Sequence, residues 1–137
     1  MDVRRLLRAV VAAFVVLVPV DFLIHEVWLG GFYRQHPEWW LPAAEMKARM
    51  PFMFLSHLAL ALFLALVYAK GYEEDKGRLS QGVRFGIVIG LLLQVPKQLM
   101  LYFVYPYPVS LLMAWGVGGL VETMLVGAAL GALYRET

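Results

Sequence analysis

Apolar residues fall in four long runs divided by short polar stretches, with no alternation of the kind a half-buried strand would show. A helix crosses the bilayer core with about 20 apolar residues at about 1.5 Å per residue. The runs meet that length at residues 6–29, 51–69, 83–105 and 109–134. The pattern predicts one all-α, polytopic transmembrane domain over residues 1–137, with four helices joined as two helical hairpins in one bundle. Between Lys97 and Glu122 no formal charge occurs, and Tyr105-Pro106-Tyr107-Pro108 breaks the run. Two prolines there force a tight turn between spans three and four.

The connecting stretches fit this division. The loop over 30–50 carries Tyr33, Trp39 and Trp40, aromatic types that settle at headgroup level. Its end, 42–50, reads as a short interfacial helix with proline in the first turn and Glu45 and Arg49 one turn apart. The loop over 70–82 holds the dense charge cluster Glu73-Glu74-Asp75-Lys76, expected as a solvated turn. Arg4, Arg5 and Arg8 before an apolar run resemble a signal peptide. No small-x-small cleavage site follows, however, and the run resumes after Asp21, so a retained first span is expected.

Composition agrees. The 137 residues are 61% hydrophobic and 16% charged, against roughly 45–50% and 25% in soluble domains. Without cysteine, disulfides, thiol nucleophiles and thiolate metal sites are excluded. The net charge of +2 is explained by topology rather than by nucleic acid, which is not an expected partner. With the N-terminus inside, Arg4, Arg5, Arg8, Lys70, Lys76, Arg78, Arg84 and Arg135 lie on the cytoplasmic side and only Arg34, Lys47 and Arg49 outside. Both termini are thus expected in the cytoplasm of a bacterial-type inner membrane.

An internal repeat is suggested when Pro19 is laid on Pro96. The stripe Ala9, Ala13, Leu17, Asp21, His25 then meets Gly86, Gly90, Gln94, Gln98, Tyr102, each spaced as one helix face. His57, Ala61, Ala65 likewise meets Thr123, Gly127, Gly131. Small residues at this spacing let helix backbones approach closely in lipid. These stripes are seams inside the bundle or between copies of the chain, and the sequence leaves both open.

Asp21, His25, His57, Gln94, Lys97, Gln98 and Glu122 form a polar cluster within the spans. A charge at mid-bilayer costs about 2.5–3.5 kcal/mol, so each needs a partner or a purpose. Lys97 and Glu122 lie roughly 20 and 18 Å from the inner face at about 1.5 Å per residue, level with Asp21. A buried ion pair of Lys97 with Glu122 or Asp21 is one reading, and a proton or cation relay is the other. Pro96 leaves a carbonyl near Leu92 free to face a cavity. His25 and His57 pack by hydrogen bonds to Asp21 or Gln98, or serve as the candidate cofactor ligands. The cofactor is then a haem or a chlorophyll-type pigment, or a metal ion held with Asp21 and Glu26. Met46, Met50 and Met53 near the outer mouth fit packing better than copper handling. His36 and Glu38 beside Trp39 read as interfacial.

Phe22-Leu23-Ile24-His25, Gly31-Phe32-Tyr33-Arg34 with Pro37, Met50-Pro51-x-Met53-Phe54-Leu55-Ser56-His57, and Arg84-Phe85-Gly86 through Pro106-x-Pro108 give nearly the whole chain a likeness. It resembles an uncharacterised family of small four-span bacterial membrane proteins. The resemblance implies the four-span fold, no particular activity, and attention to His25 and His57. Quinone-linked thiol oxidases need cysteines, and small multidrug exporters carry their essential glutamate in the first span, so both fit poorly.

No Walker loop, dinucleotide fingerprint, nucleophile elbow or HExxH motif is present. The expected function is therefore a non-enzymatic accessory or scaffold subunit, binding a cofactor, pigment or lipid through the polar cluster. Its expected partners are the bilayer and either other membrane subunits or further copies of itself. The alternative is a small oligomeric transporter or channel using Asp21, Lys97 and Glu122. An enzyme acting on a lipid-soluble substrate such as a quinone ranks last.

Overall fold

A computed structural model describes residues 2–134 as six α-helices with no strand among them. Four are long and apolar enough to cross a membrane. The first is α1 (Val3–Phe22), which runs on through a π-helical turn, Leu23–Trp28. The others are α4 (Met50–Lys70), α5 (Arg78–Val104) and α6 (Val109–Leu133). Mean hydropathy over their most apolar windows runs from 1.7 to 2.4. Large apolar side chains such as Val15, Phe63, Leu92 and Phe103 point outward from the helices, as a surface solvated by lipid requires.

Local chemistry sets the element ends. Asp2 caps α1, its carboxylate accepting from Arg4 N at 2.9 Å. Pro51 sits in the first turn of α4, where no backbone donor is needed. α5 starts at Arg78, earlier than the apolar run because Arg78, Ser80 and Gln81 are polar yet helical. Gln81 then turns back to hold the inner loop, accepting from Glu73 N at 2.8 Å and donating to Glu73 O at 3.1 Å. α6 begins directly after Pro108. Arg135, counted above on the inner side, lies outside the described residues.

The outer loop is more structured than its sequence suggests. It contains α2 (Gly30–Gln35), a 3-10 turn (Pro37–Trp39) and α3 (Ala43–Ala48). α3 falls where the interfacial helix was expected, and its Glu45–Arg49 pair stands at 3.6 Å. His36 stacks on Trp39 at 4.3 Å and lies 3.2 Å from Glu38, whose carboxyl sits below its usual range through a bond to its own backbone N–H, helped by His36.

α1 lies between α4 and α6, and α5 packs along α6. The glycine stripe is a seam within the chain. A Cβ at Gly82 would strike Gly127 O, and one at Gly86 would strike Thr123 O. Only glycine permits that approach. The alanine stripe Ala61 and Ala65 is buried with Ala9, Ala13 and Leu17 of α1. The apolar core occupies the half of the bundle that holds the start of α1 and the end of α6, where Tyr68 packs edge-on to Phe85 at 5.2 Å and Tyr134 at 5.7 Å. The opposite half is left to polar side chains.

Candidate intramembrane cation site

Because α1 stands between α4 and α6, a polar residue on its inward face meets side chains from both neighbours. Asp21 of α1, His57 of α4 and Glu122 of α6 each offer a ligand atom, and these atoms lie within 4.8 Å of one another. His57 Nε2 is 3.2 Å from Asp21 Oδ2, and His25 Nε2 is 3.4 Å from Asp21 Oδ1.

The outer sides of both imidazoles are fixed. His57 Nδ1 donates to the Met53 carbonyl at 2.8 Å, so the proton of a neutral ring sits on Nδ1 and Nε2 is bare. Trp115 Nε1 donates to the Tyr33 hydroxyl at 2.7 Å, and that hydroxyl lies 2.6 Å from His25 Nδ1. Tyr33 having accepted from the indole, its own proton is available to His25, which then carries its N–H on the Asp21 side. Each imidazole is thus oriented from behind, as outer-shell hydrogen bonds orient metal ligands. Burial and the nearby carboxylates keep the Tyr33 phenol above its usual range.

One contact in this chain does not close by itself. The bare Nε2 of His57 and a carboxylate oxygen of Asp21 are both acceptors, so a cation must lie between them, either a proton or a metal ion. Glu122 Oε1 is buried beside them without a hydrogen-bond partner. A proton between His57 and Asp21 leaves that oxygen unsatisfied, whereas a metal ion can accept all three groups.

Asp21, His25, Gln94, Lys97 and Glu122 line a cavity of about 350 Å³ together with Tyr105, Tyr107 and Trp115. The polar cluster is therefore brought together at one depth, with differences in detail. Lys97 makes no ion pair with Glu122 or Asp21 within 4 Å among the described residues; Asp21 is engaged by the two histidines instead. Gln98 bonds to Gln94 at 3.1 Å rather than to an imidazole. The Gln94 amide lies against Gly119, where a side chain would displace it. Leu92, one turn before Pro96, lines neither this cavity nor the apolar groove between α5 and α6.

A haem or pigment does not fit these histidines. Both Nε2 atoms converge on a single carboxylate, so no face is free for a macrocycle whose metal needs an axial nitrogen. Glu26 lies exposed on the π-helical turn, outside the set of three. Met53 contributes its backbone carbonyl, so its part in the site is that of an acceptor for His57. The roles of Tyr33 and Trp115 were not legible beforehand. An aromatic residue near a span end has the same composition signal whether it anchors at headgroups or reaches back to a histidine.

Set against known protein families, curated proteins and solved structures, the chain matches none.

Proposed function

We propose that this chain is a multi-pass subunit of a bacterial inner membrane that holds one divalent first-row transition-metal ion on Asp21, His57 and Glu122. The reading rests on the bare His57 Nε2 directed at two carboxylates, with its opposite nitrogen tied to the Met53 carbonyl. One imidazole and two carboxylates suit manganese, iron(II) or zinc, whereas copper(I) prefers sulfur ligands. Three protein ligands leave positions open toward the cavity. The Lys and Arg distribution supports cytoplasmic termini. An accessory role alongside other subunits or further copies is supported by the exposed apolar side chains of α5, such as Leu92, Leu99 and Phe103.

Metal analysis of the mildly solubilised protein tests this. About one ion per chain is expected, with loss in His57→Ala and Glu122→Gln while the helical signal stays unchanged. A metal-free protein that binds no added manganese, iron(II) or zinc overturns the reading and leaves a shared proton between His57 and Asp21. The rival, a small oligomeric transporter or channel, is favoured by the charged cavity lining of Lys97 and Glu122. It predicts ion flux in proteoliposomes that Lys97→Met combined with Glu122→Leu abolishes in a folded protein.

A further inference from the structure

Lys97 lines the cavity beside Glu122 and His25, yet closes no ion pair within 4 Å among the described residues. Two carboxylates, Asp21 and Glu122, neutralise a divalent ion. The ammonium of Lys97 is then left without a close ion pair inside the membrane among the described residues, an expensive condition. Glu26, exposed on the π-helical turn, does not line the cavity and closes no ion pair with Lys97 within 4 Å among the described residues. Gln94 supplies an amide on the same wall, while Ile24, Leu101, Tyr107 and Trp115 supply apolar and aromatic surface. A cavity of about 350 Å³ lies within the size range of small-molecule sites, roughly 300–1,000 Å³.

We infer that Lys97 and the open coordination positions of a metal ion on Asp21, His57 and Glu122 together form a receptor for a small carboxylate-class monoanion in this cavity. The inference rests on the metal reading proposed above. One oxygen of the anion completes the metal's coordination and the other meets the Lys97 ammonium. This satisfies a cation that closes no ion pair within 4 Å among the described residues. Lys97 is a positioning residue for the anion and not a metal ligand, because an ammonium has donors only.

The test uses the full chain in detergent, loaded with cobalt(II) as a visible probe and titrated with acetate and, separately, with azide. Wild type should bind cobalt, and its visible bands should shift with added anion. Lys97→Met should keep the anion-free cobalt spectrum while its anion affinity falls at least tenfold. Lys97→Arg, which retains the charge, should stay within a few-fold of wild type and guards against a fold defect in the methionine variant. If cobalt binds but its bands ignore both anions, or Lys97→Met binds anion as tightly as wild type, the receptor is overturned and the metal site stands. In that case Lys97 extends to the outer headgroups instead. If wild type takes up no cobalt, the metal reading and the receptor fall together.

Discussion

At the scale of single residues, the site depends on hydrogen bonds made behind the groups that do the binding. Tyr33 touches no carboxylate of the site, yet it holds His25, which in turn faces Asp21. Loss of an outer-shell partner typically lowers metal affinity by about 10- to 100-fold. Tyr33→Phe, one bond further from the ligands than His25, should weaken manganese or zinc binding by less than that factor in competition titrations, while His25→Ala should reach it. Tyr33 also gives a pH dependence. The phenol is held above its usual value, chiefly by burial, so folding favours its protonated form. Its contribution is complete below the unfolded value of about 10 and is lost as pH rises through the folded one. Wild type should lose thermal stability above about pH 10 more steeply than Tyr33→Phe. Equal alkaline limbs would remove Tyr33 from this role.

Among the elements, the α5–α6 hairpin and the end of α1 do different work. The hairpin is closed by backbone contact across Gly82, Gly86 and Gly127, with no room for a methyl group. Overpacking of this kind costs typically about 1–3 kcal/mol. Gly86→Ala should lower the detergent melting temperature accordingly. Gly77→Ala, where the added carbon finds ordinary contact at 3.9 Å, should not. Equal melting of the two variants would show that the helices separate without cost. At the end of α1, the hydrogen bond from Leu29 N to Ile24 O, at 2.9 Å, marks the wider π-helical winding that carries His25. Such turns recur at functional sites. Here the turn leads into α2, where Tyr33 returns over the cavity.

Across the whole molecule, packing and polarity are divided between the two ends. The buried apolar cluster lies toward the end that holds the start of α1, and the polar cavity lies toward the opposite end among aromatic side chains. This division makes orientation consequential, since it sets which side of the membrane the cavity lies nearer. The chain has no cysteine, so single introduced thiols report on sidedness without background. Gln35→Cys should react with a membrane-impermeant maleimide in intact spheroplasts, and Asp75→Cys only after lysis. The reverse pattern would invert the proposed orientation and place the cavity near the cytoplasm.

The sequence alone determined the parts of this protein that depend on solvent. Spans long enough for the bilayer, charge collected at their ends and the absence of strands follow from transfer energies and backbone satisfaction, which are local properties. The shared depth of Asp21, Lys97 and Glu122 was also legible, because helical rise is constant. Tertiary structure decided which polar groups actually meet. Helix rotation and neighbour order place α1 between α4 and α6, and so give Asp21 to two histidines instead of to Lys97. Depth fixes only one coordinate of a side chain. The remaining coordinates come from seams such as Gly86 against Thr123, whose pairing depends on close packing between distant segments. For the same reason the glycine stripe became a seam within one chain, and Tyr33 became part of the site rather than a headgroup anchor alone.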